Sequence, residues 1–402
     1  MTTRRRFLLL LPAYAASAQK LSSPFKKKKP APPPPVRVYI GSDTSKGVGK
    51  GIYQCSFDSA SGRLGTPVLA AQTERPSFMA VTPPRDGHRS LFAVNAVNAP
   101  TATITAFDLD LKTGALAQKG KVSAGGAGPC YISVDSTGKA AFVANYYGAT
   151  ISSYHIQANG TLSEPVETLN YLDAKYGHTG PNTVRQDQPH PHSVYISPDD
   201  RFLIVNDLGN DSLTVYSIDP ETAKLTPSTP LLTSTRAGSG PRHIAFHPNG
   251  RWIYVINELD STLDHFLWST TRGSASASPK GLLVNASTTV STIASFFPAA
   301  RNTAAEVMIA PDGNFLYASN RGEDTLVVFA INDDGSLKEI QRLSSGGKTP
   351  RHFTFDPTFK WILCGNQDSA NVAVFRRDAG TGKLIGPTQT VTVDSPLFTL
   401  FA

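Results

Sequence analysis

Imidazole, guanidinium and carboxylate groups recur in this chain at two fixed places, just before and just after paired short apolar runs. Before such pairs stand Gln188, His190 and His192, then Arg242 and His243, Asn302 and Glu306, and Arg351 and His352. After them stand Asn257 and Glu258, Asn320 and Arg321, and Asn366 and Gln367. These types supply what attack of water on an ester-like carbonyl needs, a base and a cationic partner for the oxyanion. An arginine-rich set can equally bind an anion without catalysis, and Arg242 or Arg351 can equally hold backbone carbonyls as scaffold. Glu258 stands apart, because comparable positions read as Ala96, Tyr146, Asp207, Arg321 and Gln367, so no repeat imposes a carboxylate there. His192 reads as the counterpart of Tyr131, His243 and His352. The recurrent asparagine that ends the second run reads as a turn cap.

A repeat must position these groups. Its clearest copy runs from Pro241 to Asn257, with others over Pro350–Asn366, Pro129–Asn145, Pro191–Asn206 and Ala304–Asn320, and a looser one over Pro76–Asn95. Each copy is two apolar runs around a turn such as Pro248-Asn249-Gly250, followed by a β-branched run and a Gly-x-Leu turn. Alternation with such turns predicts antiparallel strands, and a spacing of roughly 45–60 residues predicts propeller blades. The chain ends on an orphan first strand, Pro396–Ala402, whose partners Val36–Gly41 and Gly51–Phe57 lie at the other terminus. The expectation is an all-β, seven-bladed β-propeller of four-stranded antiparallel blades, its ring closed by pairing of the N- and C-terminal strands. Antiparallel pairing puts residues before the first strand and after the second on one rim. His247 and the Pro-Asp-Gly turns fall on the opposite rim. The two longest gaps, Leu162–Gln188 and Ser269–Arg301, are expected to open onto the first rim.

Three segments follow. Residues 1–18 read as a twin-arginine-type signal peptide, with Thr3-Arg4-Arg5-Arg6-Phe7-Leu8-Leu9 and an Ala16-Ser17-Ala18 cleavage site. Residues 19–35 read as a Lys/Pro-rich linker that does not fold, and 36–402 as one propeller domain. Eight basic residues and no acid lie in the first 35 positions, which takes the chain's +7 to −1 for the remainder. No nucleic-acid partner is therefore expected. The expected partners are the export machinery and a small molecule, the location is periplasmic or extracellular, and the chain is expected to be a monomer.

Several other chemistries lack their residues. Three widely spaced cysteines make no disulfide framework, and Cys364 reads as a small core residue. No G-x-S-x-G elbow occurs. Gly346-Gly347-Lys348-Thr349 lacks the glycine that opens a P-loop, since Arg342 stands there. No His/Cys set has zinc spacing, and Asn332-Asp333-Asp334-Gly335 reads as a hairpin turn. No metal and no cofactor are expected.

From Val36 to Ala402 the chain resembles the seven-bladed lactonase family, which includes propeller-type bacterial 6-phosphogluconolactonase and fungal carboxy-cis,cis-muconate cyclase. The resemblance rests on Pro189-His190-Pro191-His192-Ser193, Gly240-Pro241-Arg242-His243, Asn257-Glu258-Leu259-Asp260, Asn302-Thr303-Ala304-Ala305-Glu306, Ser319-Asn320-Arg321-Gly322, Lys348-Thr349-Pro350-Arg351 and Asn366-Gln367-Asp368-Ser369. It implies a carboxylic ester hydrolase that opens a sugar lactone, 6-phosphogluconolactonase-like, at the mouth of the central channel, or a cyclase running in reverse. It implies catalytic roles for His192, Arg242, Glu258 and Arg321, and substrate binding by His190, His243, Asn302, Glu306, Arg351 and Gln367. In that scheme His192 or Glu258 is the base, Arg242 faces the carbonyl oxygen, and Arg321 and Arg351 hold an anionic part. Tyr131 and Ala96 stand where many relatives carry His and Glu, so blades two and three are expected to contribute less to the pocket. The rival reading from another class is an exported binding propeller without catalysis.

Overall fold

Each apolar run of the repeat forms a strand, because alternating β-branched and aromatic residues let one face of every strand pack on a neighbouring blade. The computed structural model describes residues 36–45, 48–271 and 280–402, so the leader and linker expected over 1–35 lie outside the described residues. The strands make seven antiparallel sheets. Blade 1 takes Pro396–Phe401, Val36–Ser42 and Gly51–Asp58, with Arg63–Leu64 and Val68–Gln72 sharing its outer edge. From the inside outward, blade 2 comprises Pro76–Val81, His88–Asn95, Thr103–Asp110 and Leu116–Ser123. Blades 3 to 7 begin at Pro129, Pro191, Pro241, Thr303 and Pro350 and repeat the same order.

The ring closes as the orphan strand requires. Val38 pairs with Phe401, Tyr39 with Leu400, Ile40 with Thr399 and Gly41 with Phe398. Gly41 is a glycine because the Pro76 carbonyl oxygen lies 2.1 Å from where its Cβ would sit. An apolar cluster fills each contact between adjacent blades; Phe142, Tyr216 and Val205 sit between blades 3 and 4, and fully buried Cys364 between blades 6 and 7. Four of the six strand-end asparagines are caps: the side-chain amides of Asn95, Asn145, Asn320 and Asn366 donate to the carbonyls of Glu74, Ala124, Thr292 and Ser345 in the preceding connection, whereas Asn206 donates to Ser193 and Asn257 to Thr262 and Asp264.

Pairing corrects three expectations. Pro191 lies opposite Asp207 and Ser193 opposite Asn206, just as Pro241 lies opposite Asn257 and His243 opposite Ile256. The blade 4 copy therefore ends at Asp207, and Leu208 is the counterpart of Glu258. A bulge follows the opening proline, so His192 corresponds to Cys130, Arg242 and Arg351, not to Tyr131, His243 and His352. Part of the Ser269–Arg301 gap is also strand. Its residues Lys280–Ser291 pair with Thr262–Thr271, and the pair Thr271 and Lys280 lies at the end of the sheet away from Asn257. The β-branched content of Leu282–Ser291 extends the sheet where a loop was expected.

Candidate active site

Glu258 follows the last residue of blade 5's second strand, where its N–H donates to the Gly240 carbonyl at 2.7 Å. The residue is 3% exposed, and a buried carboxylate needs partners. Three guanidinium groups provide them. Arg242 Nε lies 2.9 Å and Arg321 Nη2 2.8 Å from Oε2, while Arg185 Nη2 lies 2.5 Å from Oε1. His192 Nε2 is 3.9 Å from the same Oε2. The four residues expected to be catalytic thus meet around one carboxylate.

The charges sort their chemistry. Burial pushes the Glu258 carboxyl up, but Arg321, Arg242 and Arg185 together hold it well below the usual carboxylate range. So saturated a carboxylate is a poor base. Burial, then Arg242 and His243, push His192 well below its ordinary value, so its imidazole is neutral at neutral pH. Its Nδ1 is buried and has no hydrogen-bond partner among the described residues.

A cavity of about 600 Å³ opens over this cluster, and His192, Glu258, Arg321 and Arg351 line it together with His190, Arg185 and Tyr146. Arg351 makes no hydrogen bond or ion pair among the described residues. Burial, then Arg242 and Arg321, pull its guanidinium down to about 9, which leaves it charged at neutral pH. An unpaired cation in a concave site is a seat for an anion. His190 lines the same cavity but is fully engaged: Nδ1 meets the Tyr146 carbonyl at 2.8 Å, Nε2 meets Asp187 at 3.0 Å, and the ring stacks on Tyr146 at 4.2 Å.

The remaining expected residues lie elsewhere. Arg242 does not line the cavity; 3% exposed, it sits behind Glu258 and donates through Nη1 to the Ala305 carbonyl. His243 and Glu306 face one another below it, with Nδ1 3.0 Å from both carboxylate oxygens. Asn302 bonds Ser261 and Asn320 and accepts from the Glu323 N–H, which is a scaffold role. Gln367 donates its N–H to the Thr349 carbonyl and does not line the cavity.

Sequence reasoning missed Arg185, Tyr146, Tyr147, Asp187 and Arg75, all in the cavity wall. Arg185 also lies 3.3 Å from the Tyr146 hydroxyl. Its one signal was its place in the long Leu162–Gln188 gap. Blades 2 and 3 contribute more than expected, through Ser77, Ala96, Cys130 and Tyr146. Burial pushes the Cys130 thiol up to about 12, so it is no nucleophile; it donates to the His192 carbonyl at 3.1 Å.

A closed seven-bladed propeller with an arginine-bound carboxylate and a neutral histidine under one cavity is the class this chain defines. Residues 37–401 match the family model described as lactonase, 7-bladed beta-propeller, and the chain belongs to that family. It is 30% identical to the 6-phosphogluconolactonase of Bacillus subtilis over 370 residues, which are 90% of this chain and 97% of that relative. It is 31% identical to the 6-phosphogluconolactonase of Formosa agariphila over 366 residues, 89% of this chain and 97% of that relative. Among solved structures it is similar to a periplasmic gluconolactonase of Pseudomonas aeruginosa, with a TM-score of 0.78 and 31% identity over 91% of this chain and 98% of that one.

Proposed function

We propose that this protein hydrolyses an anionic sugar lactone, 6-phosphogluconolactone-like, in the cavity over Glu258. One observation carries the reading: neutral His192 stands 3.9 Å from a carboxylate already held by three arginines, in a cavity that also holds the unpaired Arg351. His192 Nε2 takes a proton from water as the water oxygen attacks the lactone carbonyl carbon. The imidazolium that forms is stabilised by the fixed negative charge of Glu258. Arg242, which the sequence placed at the carbonyl oxygen, is spent on Glu258 and Ala305. That role passes to Arg321, which lines the cavity and whose Nη1 makes no hydrogen bond among the described residues. When the tetrahedral oxyanion collapses, the ring C–O bond breaks and the imidazolium returns its proton to the leaving alkoxide. Arg351 binds the anionic substituent. A site for anion binding alone gains nothing from a central carboxylate, which favours catalysis over the binding reading.

Arg351→Ala is expected to raise KM for a phosphorylated lactone about 10–100-fold, the worth of one charged hydrogen-bonding group, and to spare neutral gluconolactone. Steady-state kinetics on both substrates checks this; an equal loss on both would contradict the assignment. Export is part of the same proposal, supported by the Thr3–Leu9 pattern and by similarity to a protein described as periplasmic. N-terminal sequencing of the mature protein is expected to begin near Gln19, and an intact Met1 would count against it.

A further inference from the structure

Behind the cavity over Glu258, a girdle of six side chains crosses the channel. Phe398, Phe78, Tyr131, His243, Glu306 and His352 come from different blades, each two residues after the start of its inner strand, or three in the case of Glu306. The ring centroids of Phe78 lie 4.0 Å from Phe398 and 3.9 Å from Tyr131, those of Tyr131 and His243 are 5.2 Å apart, and His352 is 4.2 Å from Phe398. Glu306 completes the girdle between His243 at 3.0 Å and His352 at 3.5 Å. A second cavity of about 490 Å³ opens beyond it toward the opposite rim and shares no lining residue with the first. That volume is in the range of small-molecule sites.

Its walls are apolar and aromatic, with Tyr195, Phe246, Phe355 and Leu400 among them, and no lysine or arginine lines it. Glu306 is the one acidic residue among those that line it. The carboxylate accepts from His243 Nδ1 at 3.0 Å and from the Val307 N–H at 3.1 Å, and His352 Nε2 lies 3.5 Å from it. The Thr399 N–H donates to His352 Nδ1 at 3.3 Å, which leaves that ring's proton on Nε2, toward Glu306. Burial above all pushes His243 well below its ordinary value and His352 down to about 4, so both donors are neutral. Burial pushes the Glu306 carboxyl up, against smaller downward pulls from His352, Arg242 and the Val307 N–H, and Arg242 is itself paired with Glu258. The carboxylate therefore has hydrogen bonds but no counter-charge, and it sits at the base of an aromatic cavity. Aromatic faces and an unneutralised carboxylate are together complementary to an organic cation.

We propose that this second cavity binds an organic ammonium ion on an apolar or aromatic body, its charge directed at Glu306 and its body against the rings. This site is separate from the lactone site and does not depend on it. The test is isothermal titration of the purified protein with (4-hydroxyphenyl)trimethylammonium and with its uncharged isostere 4-tert-butylphenol. The cation is expected to bind saturably, one per chain, and at least tenfold more tightly than the isostere. Glu306→Gln is expected to weaken the cation at least tenfold and bring it level with the isostere. Leu400→Trp, which fills the cavity and leaves the carboxylate in place, is expected to abolish binding of both, and it decides the matter if Glu306→Gln does not fold. Equal affinity for cation and isostere, no saturable binding of the cation, or unchanged binding to the Leu400→Trp protein would each overturn the proposal.

Discussion

His192→Ala is expected to lower kcat about 10²–10⁴-fold, the usual contribution of a positioned general base, while KM and the melting temperature change little. The separation follows from the site's geometry. Among the described residues the imidazole makes no short hydrogen bond, since Nδ1 has no partner and Nε2 stands 3.9 Å from Glu258. Its nearest ring neighbours, His243 and Tyr146, lie edge-on at 5.3 and 5.6 Å. Removing it therefore costs the fold little. The wild-type pH profile gives a second readout. The neutral imidazole is the active form, and burial, Arg242 and His243 depress its pKa, so kcat/KM should hold through neutrality and fall only below the ordinary histidine value of about 6.5. His247→Ala is the control. His247 Nε2 is held by the Gly313 carbonyl at 2.8 Å, among the turns of the opposite rim, and its loss is expected to leave kinetics nearly unchanged. If both substitutions reduce kcat alike, the proposed site lies on the wrong rim.

Removing Pro396–Ala402 is expected to abolish cooperative folding. That segment is the inner strand of blade 1 and pairs with Val38–Ser42 from the other end of the chain. Leu397 and Phe398 are 3% and 5% exposed, and losing two such side chains costs about 5–10 kcal/mol. The total stability of a folded domain is about 5–15 kcal/mol. Truncation also bares the unpaired edge of Val36–Ser42, a template for aggregation. Thermal unfolding followed by circular dichroism checks this; a truncated protein with an unchanged, sharp transition would show that ring closure contributes little.

The fold was legible because each blade repeats a turn and three patterned runs, and because Pro396–Ala402 has no local partner. Strand direction placed His192, Arg242, Glu258 and Arg321 on one rim among many others, and the family resemblance singled out those four. What lay beyond the sequence was local geometry. The bulge after each opening proline shifts pairing by one residue, so His192 was matched to the wrong neighbours. Consecutive side chains on an inner strand point opposite ways. Arg351 therefore lines the first cavity and His352 the second, although both had been placed on one rim. The same alternation carries Glu306 away from the residues around Glu258. Arg185 belongs to no repeat, so only its place in the long Leu162–Gln188 gap marked it, and its pairing with Glu258 depends on how the 171–190 connection folds.

The central claim is hydrolysis of an anionic lactone, and the most direct measurement is ring opening by the purified protein across a panel of 6-phosphogluconolactone, plain gluconolactone and muconolactones, each corrected for spontaneous hydrolysis. The account predicts saturable acceleration, with the highest kcat/KM on an anionic lactone. Hydrolysis of every lactone at its spontaneous rate would contradict it.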